Sequence, residues 1–238
     1  GLSAGAALAL IHAFLVVTRG ANQLASGLAL MFFGLGVTAF FGRPYVGEQI
    51  DGLPAHPIPG LADLPYLGPV LFDHDLLTYL VFPLGPILWW FLFRSRWGLH
   101  LRSVGESREL AFAAGLHPDR IQYLAVAAGG ALAGIGGAQL SLGYTQTWIE
   151  GMTNGRGFIA VALVIFATWN PLRGMVGALL FGGAVALQLQ LQARGADISP
   201  FFLDMAPYLL TLVVLLAIGR FGREVMPEGL KSVFRGTG

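Results

Sequence analysis

The chain contains no cysteine and a single lysine, Lys231. The first absence removes disulfides, thiolate metal sites and cysteine nucleophiles together. The second leaves no Gly-rich phosphate loop ending in Lys-Ser or Lys-Thr, so the chain carries no nucleotide site of that kind. Charge is scarce too. Only 11% of the 238 residues are Asp, Glu, Lys or Arg, and the net charge is +1. A soluble domain carries about a quarter charged residues, and a nucleic-acid binder needs a basic face; neither description fits. No His-Glu-x-x-His and no pair of carboxylates inside an apolar run occurs, so neither of those enzyme constellations is present. Ionisable groups are also rare within the apolar runs, where a proton-coupled carrier would keep them for its relay. His12 is the one histidine well inside such a run, and it reads as a helix-packing residue.

What is abundant is apolar: 55% of residues are hydrophobic, with 34 Gly, 13 Pro and 17 Phe. A helix crossing a hydrocarbon core of ~30 Å needs roughly 20 apolar residues. Seven segments answer to this wholly or in part: 2–17, 21–42, 74–93, 121–142, 157–169, 174–193 and 205–219. The expectation is an all-α, polytopic membrane helical bundle of about seven spans forming one domain over 1–238. Gly1 opens inside an apolar stretch with no cleavage site after it, so further helices are expected upstream. The 157–169 segment is too short to cross upright and predicts a broken or partly re-entrant element. Small residues recur every fourth position at Gly130, Gly134 and Ala138, and again at Gly174, Ala178 and Gly182. Such stripes let helix backbones approach.

Cations set the orientation. With the 94–120 loop cytoplasmic, eleven of the fourteen Lys and Arg fall on the cytoplasmic side, and the C-terminal tail 220–238 lies there too. The loop 43–73 then faces outside. Its six prolines predict an extended, turn-rich cap. Glu48, Asp51, Asp63 and Asp73 read as a solvated surface and not as a metal site, even with His56, His74 and Asp75 nearby.

The 94–120 loop carries a run of helix formers from Glu106 to Ala114, with Gly115 as its stop and His117-Pro118 beyond. Glu106 and Glu109 are expected at the helix start, where the helix dipole favours anions. The run Glu106-x-x-Glu109-x-x-x-Ala113-Ala114-Gly115-Leu116 resembles the coupling loop of the permease subunits of ABC importers, in the group serving branched-chain amino acids, ribose and nucleosides. Ala21-Asn22-Gln23-Leu24-Ala25-Ser26-Gly27-Leu28-Ala29-Leu30 is similar to a run of that group's nucleoside branch, which works with basic membrane lipoproteins. So are Trp148-x-Glu150-Gly151-Met152-Thr153-x-Gly155-Arg156-Gly157-Phe158 and Trp169-Asn170-Pro171.

The resemblance implies a subunit without catalysis of its own and without a bound cofactor. ATP and Mg would sit on a separate cytoplasmic ABC ATPase. A second, related permease chain, a substrate-binding lipoprotein and the bacterial inner membrane complete the expected company, with no nucleic acid. ATPase contacts are expected at Glu106, Arg108, Glu109, Leu110, Ala113, Ala114, Gly115 and Arg120. The pathway for a nucleoside or a related small polar solute is expected among Asn22, Gln23, Ser26, Gln139, Ser141, Tyr144, Thr145, Trp148 and Asn154, whose amides and rings suit base edges and faces. The rival reading from another class is an ion-gradient-driven carrier or channel, which the shortage of intramembrane charge disfavours.

Overall fold

The computed structural model describes residues 1–63, 65, 72–153 and 155–195, together with 205, 209, 212, 213, 216, 227, 229 and 230. Asn154 and most of the 205–219 span and the 220–238 tail lie outside the described residues. Eight α-helices are described: α1 Leu2–Ala13, α2 Gln23–Gly42, α3 Leu76–Arg94, α4 Arg96–Glu106, α5 Arg108–Ala113, α6 Pro118–Gln139, α7 Arg156–Phe166 and α8 Pro171–Ala193. Wider π-helical turns extend α1 through Phe14–Thr18 and α6 through Leu140–Thr145.

Helix starts follow from local chemistry. Asn22, Asp75, Ser95, Ser107 and Asn170 each cap the helix that follows by accepting a backbone N–H. Pro118 and Pro171 occupy the first turns of α6 and α8, where no N–H is missed. Four helical stretches are long and apolar enough to cross a membrane: Gln23–Tyr45, Leu76–Arg94, Pro118–Thr145 and Pro171–Ala193. Leu2–Thr18 and Arg156–Phe166 are shorter apolar helices. With 11 residues, α7 reaches only about 16 Å, half a bilayer core. It turns into α8 through Thr168 and Trp169, both at positive φ.

Few described side chains are buried. Phe32, Phe40, Phe41 and Leu179 stand outward, as befits helices whose surroundings are lipid tails and other helices. Packing within the bundle therefore rests on close backbone approach. Gly130 and Gly134 of α6 interlock with Gly1, Gly5 and Ala9 of α1; a Cβ on Gly5 would collide with the Gly130 carbonyl and stand 2.9 Å from the Gly134 Cα. Ala138 joins the same seam, 2.9 Å from where a Gly1 Cβ would be. The second stripe behaves differently from expectation. Nothing described lies within 4 Å of a Cβ placed on Gly182, and Gly174 meets only the Ala167 methyl at 3.7 Å. Gly177, one face over, makes the close approach on α8, with Leu163 and Phe166 of α7 each 2.8 Å from its Cβ position.

Candidate functional site

At one end of the bundle, the segment from α3 to α6 folds into a lever. Ser95 closes α3 by donating from Oγ to the Phe91 carbonyl (2.6 Å) and opens α4 by accepting from the Gly98 N–H (3.0 Å). The double role reverses the chain so tightly that a Cβ on Gly98 would strike the backbone of Phe91 and Leu92. The Arg102 guanidinium sits 5.0 Å over the Phe93 ring, laying α4 along the end of α3.

Ser107 then takes an extended conformation (φ −151°, ψ 114°) and caps α5, accepting from the Leu110 N–H at 3.3 Å. The expected helix of about ten residues is thus cut. Glu106 ends α4 and does not start the coupling helix, so the dipole argument fails for it and holds only for Glu109 in the first turn of α5. The cause is Ser107, whose hydroxyl competes for a backbone N–H and favours a cap over a helix interior. Gly115 closes α5 as expected, at φ +82°.

Six residues leave α5 standing off the body. Ala111 alone turns inward (3% exposed), while Leu110 (72%) and Phe112 (70%) project outward with Ala113 and Ala114. Arg108 forms an ion pair with Asp119 in the first turn of α6 and donates to Gln122 Oε1 at 3.5 Å. Beside this brace lies a groove of about 540 Å³ lined by Arg108, Glu109, Phe112, His117, Pro118, Asp119 and Arg120. Arg108, Glu109 and Arg120 of the expected contact set thus line one groove. Phe112 lies outside the expected set, because no periodicity in a six-residue helix marks which side faces out; His117 and Asp119 join the groove from the start of α6.

The polar residues expected to line a pathway do not form one set. Gly42, at the end of α2, packs against the Trp148 indole, whereas Asn22 and Gln23 begin the same helix about 30 Å away. Asn22 Oδ1 is spent on its cap, accepting from the Ala25 N–H at 3.0 Å. Gln23 is exposed. Ser26 is buried and bonded to His12 Nδ1 at 3.0 Å, pinning α1 to α2. The bond between Thr18 and Tyr123 (2.6 Å) holds this end of α2 beside the start of α6, on the lever side.

The opposite end gathers the remainder. Gln139 Nε2 donates to Asp75 Oδ2 (2.9 Å) and Thr78 Oγ1 (3.1 Å), tying α6 to α3, while its Oε1 is buried without a partner. Burial works to raise the Asp75 carboxyl pKa, but hydrogen bonds from Thr78, Gln139 and the Leu77 N–H outweigh it and hold the group below its ordinary value. Ser141 Oγ donates to the Ala138 carbonyl (3.1 Å), and Thr145 Oγ1 to the Leu140 (2.9 Å) and Thr147 (3.0 Å) carbonyls. The Arg156 guanidinium lies 5.0 Å over the Tyr144 ring. The proline-rich segment straps across this end. Ile50 N–H donates to the Gln146 carbonyl (3.0 Å), Leu53 N–H to Leu142 (3.2 Å), and Tyr79 Oη to His56 (3.1 Å). Among the described residues no three His, Cys, Asp or Glu come together in a metal-binding arrangement.

The chain is 46% identical to the provisionally named glucose ABC transporter permease protein TsgC13 of Haloferax volcanii, over 84% of this chain and 62% of that protein. It is 34% identical to the guanosine ABC transporter permease protein NupQ of Bacillus subtilis, over 95% of this chain and 73% of the relative. The nucleoside ABC transporter permease protein NupC of Lactococcus lactis subsp. cremoris is 33% identical, over 96% and 74%. The chain thus spans less than two thirds of the haloarchaeal relative and about three quarters of the other two. No solved structure gives a significant match. Residues 1–218 match the family described as the branched-chain amino acid transport system permease component, and the chain belongs to that family of ABC transporter permeases.

Proposed function

We propose that the chain is the transmembrane permease subunit of an ATP-driven importer, moving a nucleoside or a related small polar solute handed over by a binding protein. The observation that carries this reading is the lever: α5 offers Leu110 and Phe112 to a partner while its base is tied to α3 through α4 and to α6 through Arg108. A partner that pushes on α5 moves two apolar helices at once. ATP and Mg belong to that partner, a cytoplasmic ABC ATPase. Coupling then requires that the ATPase contact α5 differently in its open and closed states.

The cytoplasmic side in this reading is the lever side. Gly229 supports a cytoplasmic C-terminus, since a Cβ there would lie 2.7 Å from the Gly105 carbonyl oxygen at the end of α4. The names of the relatives support nucleosides and sugars as cargo; the membrane is proposed to be a bacterial inner membrane, and a second, related permease chain completes the pathway. Glu109 and Arg120 make charged contacts with the ATPase around the groove, and Gln139, Tyr144 and Trp148 flank the outer mouth.

The test is uptake by the full-length permeases reconstituted with their ATPase and binding protein. Labelled guanosine or glucose should accumulate with ATP and stop with vanadate. Accumulation that ignores ATP but collapses with an ion gradient would establish the rival carrier reading.

A further inference from the structure

Beneath the proline-rich strap, at the end opposite the lever, lies a small cavity of about 180 Å³. Tyr45, Glu48, Ile50, Leu142 and Trp148 are among its walls. Its shape is set by the backbone. Val46 bridges to Trp148 and Gln49 to Thr147, while the strap's Ile50 bonds to Gln146, which is held at positive φ (54°). A non-Gly residue in that conformation is strained, so the surrounding contacts must hold it. Gly42 has room for no side chain, because the Trp148 indole occupies the space. The ring is thereby seated before any ligand arrives.

The polar lining is one-sided. Ser141 Oγ spends its proton on the Ala138 carbonyl, and Thr147 Oγ1 spends its proton on the Glu48 carbonyl at 2.9 Å. Both hydroxyls can only accept further bonds, and the Glu48 carboxylate is an acceptor as well. Two aromatic residues, Tyr45 and Trp148, line the cavity with these acceptors. The volume falls below the roughly 300 Å³ of pockets that take drug-sized ligands, so the occupant is compact. A phosphorylated solute would meet Glu48 as a like charge.

Resting on the importer reading above, we infer that this cavity is a solute subsite at the mouth of the pathway, built for an uncharged ring carrying several N–H or O–H donors. That chemistry is shared by a nucleoside and a hexose; a nucleotide is refused. It gives the strap a task, since the strap contributes Glu48 and Ile50 and holds Trp148 in place.

The chain has no cysteine, so Ile50→Cys in a full-length permease cleared of any cysteine outside these residues, assembled with its ATPase in right-side-out vesicles, reports the cavity. The probe is an impermeant maleimide, applied with guanosine, glucose or guanosine monophosphate at millimolar concentration. Guanosine or glucose should slow labelling at least about fivefold, the lower end of what stacking on an aromatic ring contributes. Which of the two protects identifies the solute class. The monophosphate should not protect, and Tyr45→Ala or Glu48→Gln added to Ile50→Cys should abolish protection, while co-purification with the ATPase and an unchanged gel-filtration profile confirm assembly. Equal labelling with every solute, in vesicles that still import with ATP, overturns the subsite and leaves the permease reading standing. Labelling of the Ile50→Cys variant only from the ATP side overturns the orientation and the importer reading with it.

Discussion

Arg108 on α5 is ion-paired with Asp119 in the first turn of α6, across the turn at Gly115 that joins the two helices. Both side chains remain half exposed or more, so the pair contributes little to folding stability, about 1 kcal/mol at most. Its value is geometric. Arg108→Ala or Asp119→Ala should leave expression and membrane assembly unchanged but lower ATP-driven uptake several-fold. The swap Arg108→Asp with Asp119→Arg should restore most of it, and uptake against ATPase rate in the same vesicles checks both.

Phe112 and Leu110 present apolar surface that the chain itself does not cover. If they anchor the ATPase, each behaves as an interface hot spot worth about 2 kcal/mol. Phe112→Ala should weaken ATPase binding about thirtyfold, and Leu110→Glu should abolish co-purification. Phe40→Ala, an equally exposed change on α2, should have no such effect in the same pull-down.

The α1–α6 seam allows no added volume at Gly5, Gly130 or Gly134. Gly130→Leu should therefore separate the helices and lower the yield of folded permease sharply, an overpacking cost of about 1–3 kcal/mol or more. Gly182→Leu, in open space within the described residues, should be tolerated far better. Size-exclusion recovery after detergent extraction separates the two.

Burial opposes ionisation of Asp75, yet hydrogen bonds from Thr78, Gln139 and the Leu77 N–H outweigh it, so the fold lowers the carboxyl pKa. A depressed carboxyl pKa adds stability above the unfolded value of about 3.9 and loses it as pH falls through the lower folded value. Melting of the purified permease should therefore weaken below about pH 4, and Asp75→Asn should flatten that acid limb. Asn at this position can still cap α3 but turns a donor toward Gln139 Nε2. The variant should accordingly melt lower than the parent at pH 7.

Much of the local structure was legible from residue type. The apolar runs and the stops at Gly115 and before Pro118 obey chemistry that acts within one helical turn. The break at Ser107 shows the limit: helix formers surround it, and a single hydroxyl bonding to a backbone N–H divides what propensity would join. The polar pathway residues show a related limit: Asn22, Ser26 and Thr145 each bond to a neighbour, and residue type alone does not say which partner a side chain takes.

The sequence by itself determined that this protein lives in a membrane and belongs to a transporter family, because hydropathy and short motifs are sums over neighbouring residues. Only the tertiary structure decided which glycine stripe is a seam, that Gln139 reaches Asp75 across 64 positions, and that the proline-rich loop frames a cavity with Trp148. Those outcomes depend on how helices lean together. With small residues at many positions and no hydrophobic force between helices in lipid, several registers satisfy the same pattern, and contacts distant in the chain select one.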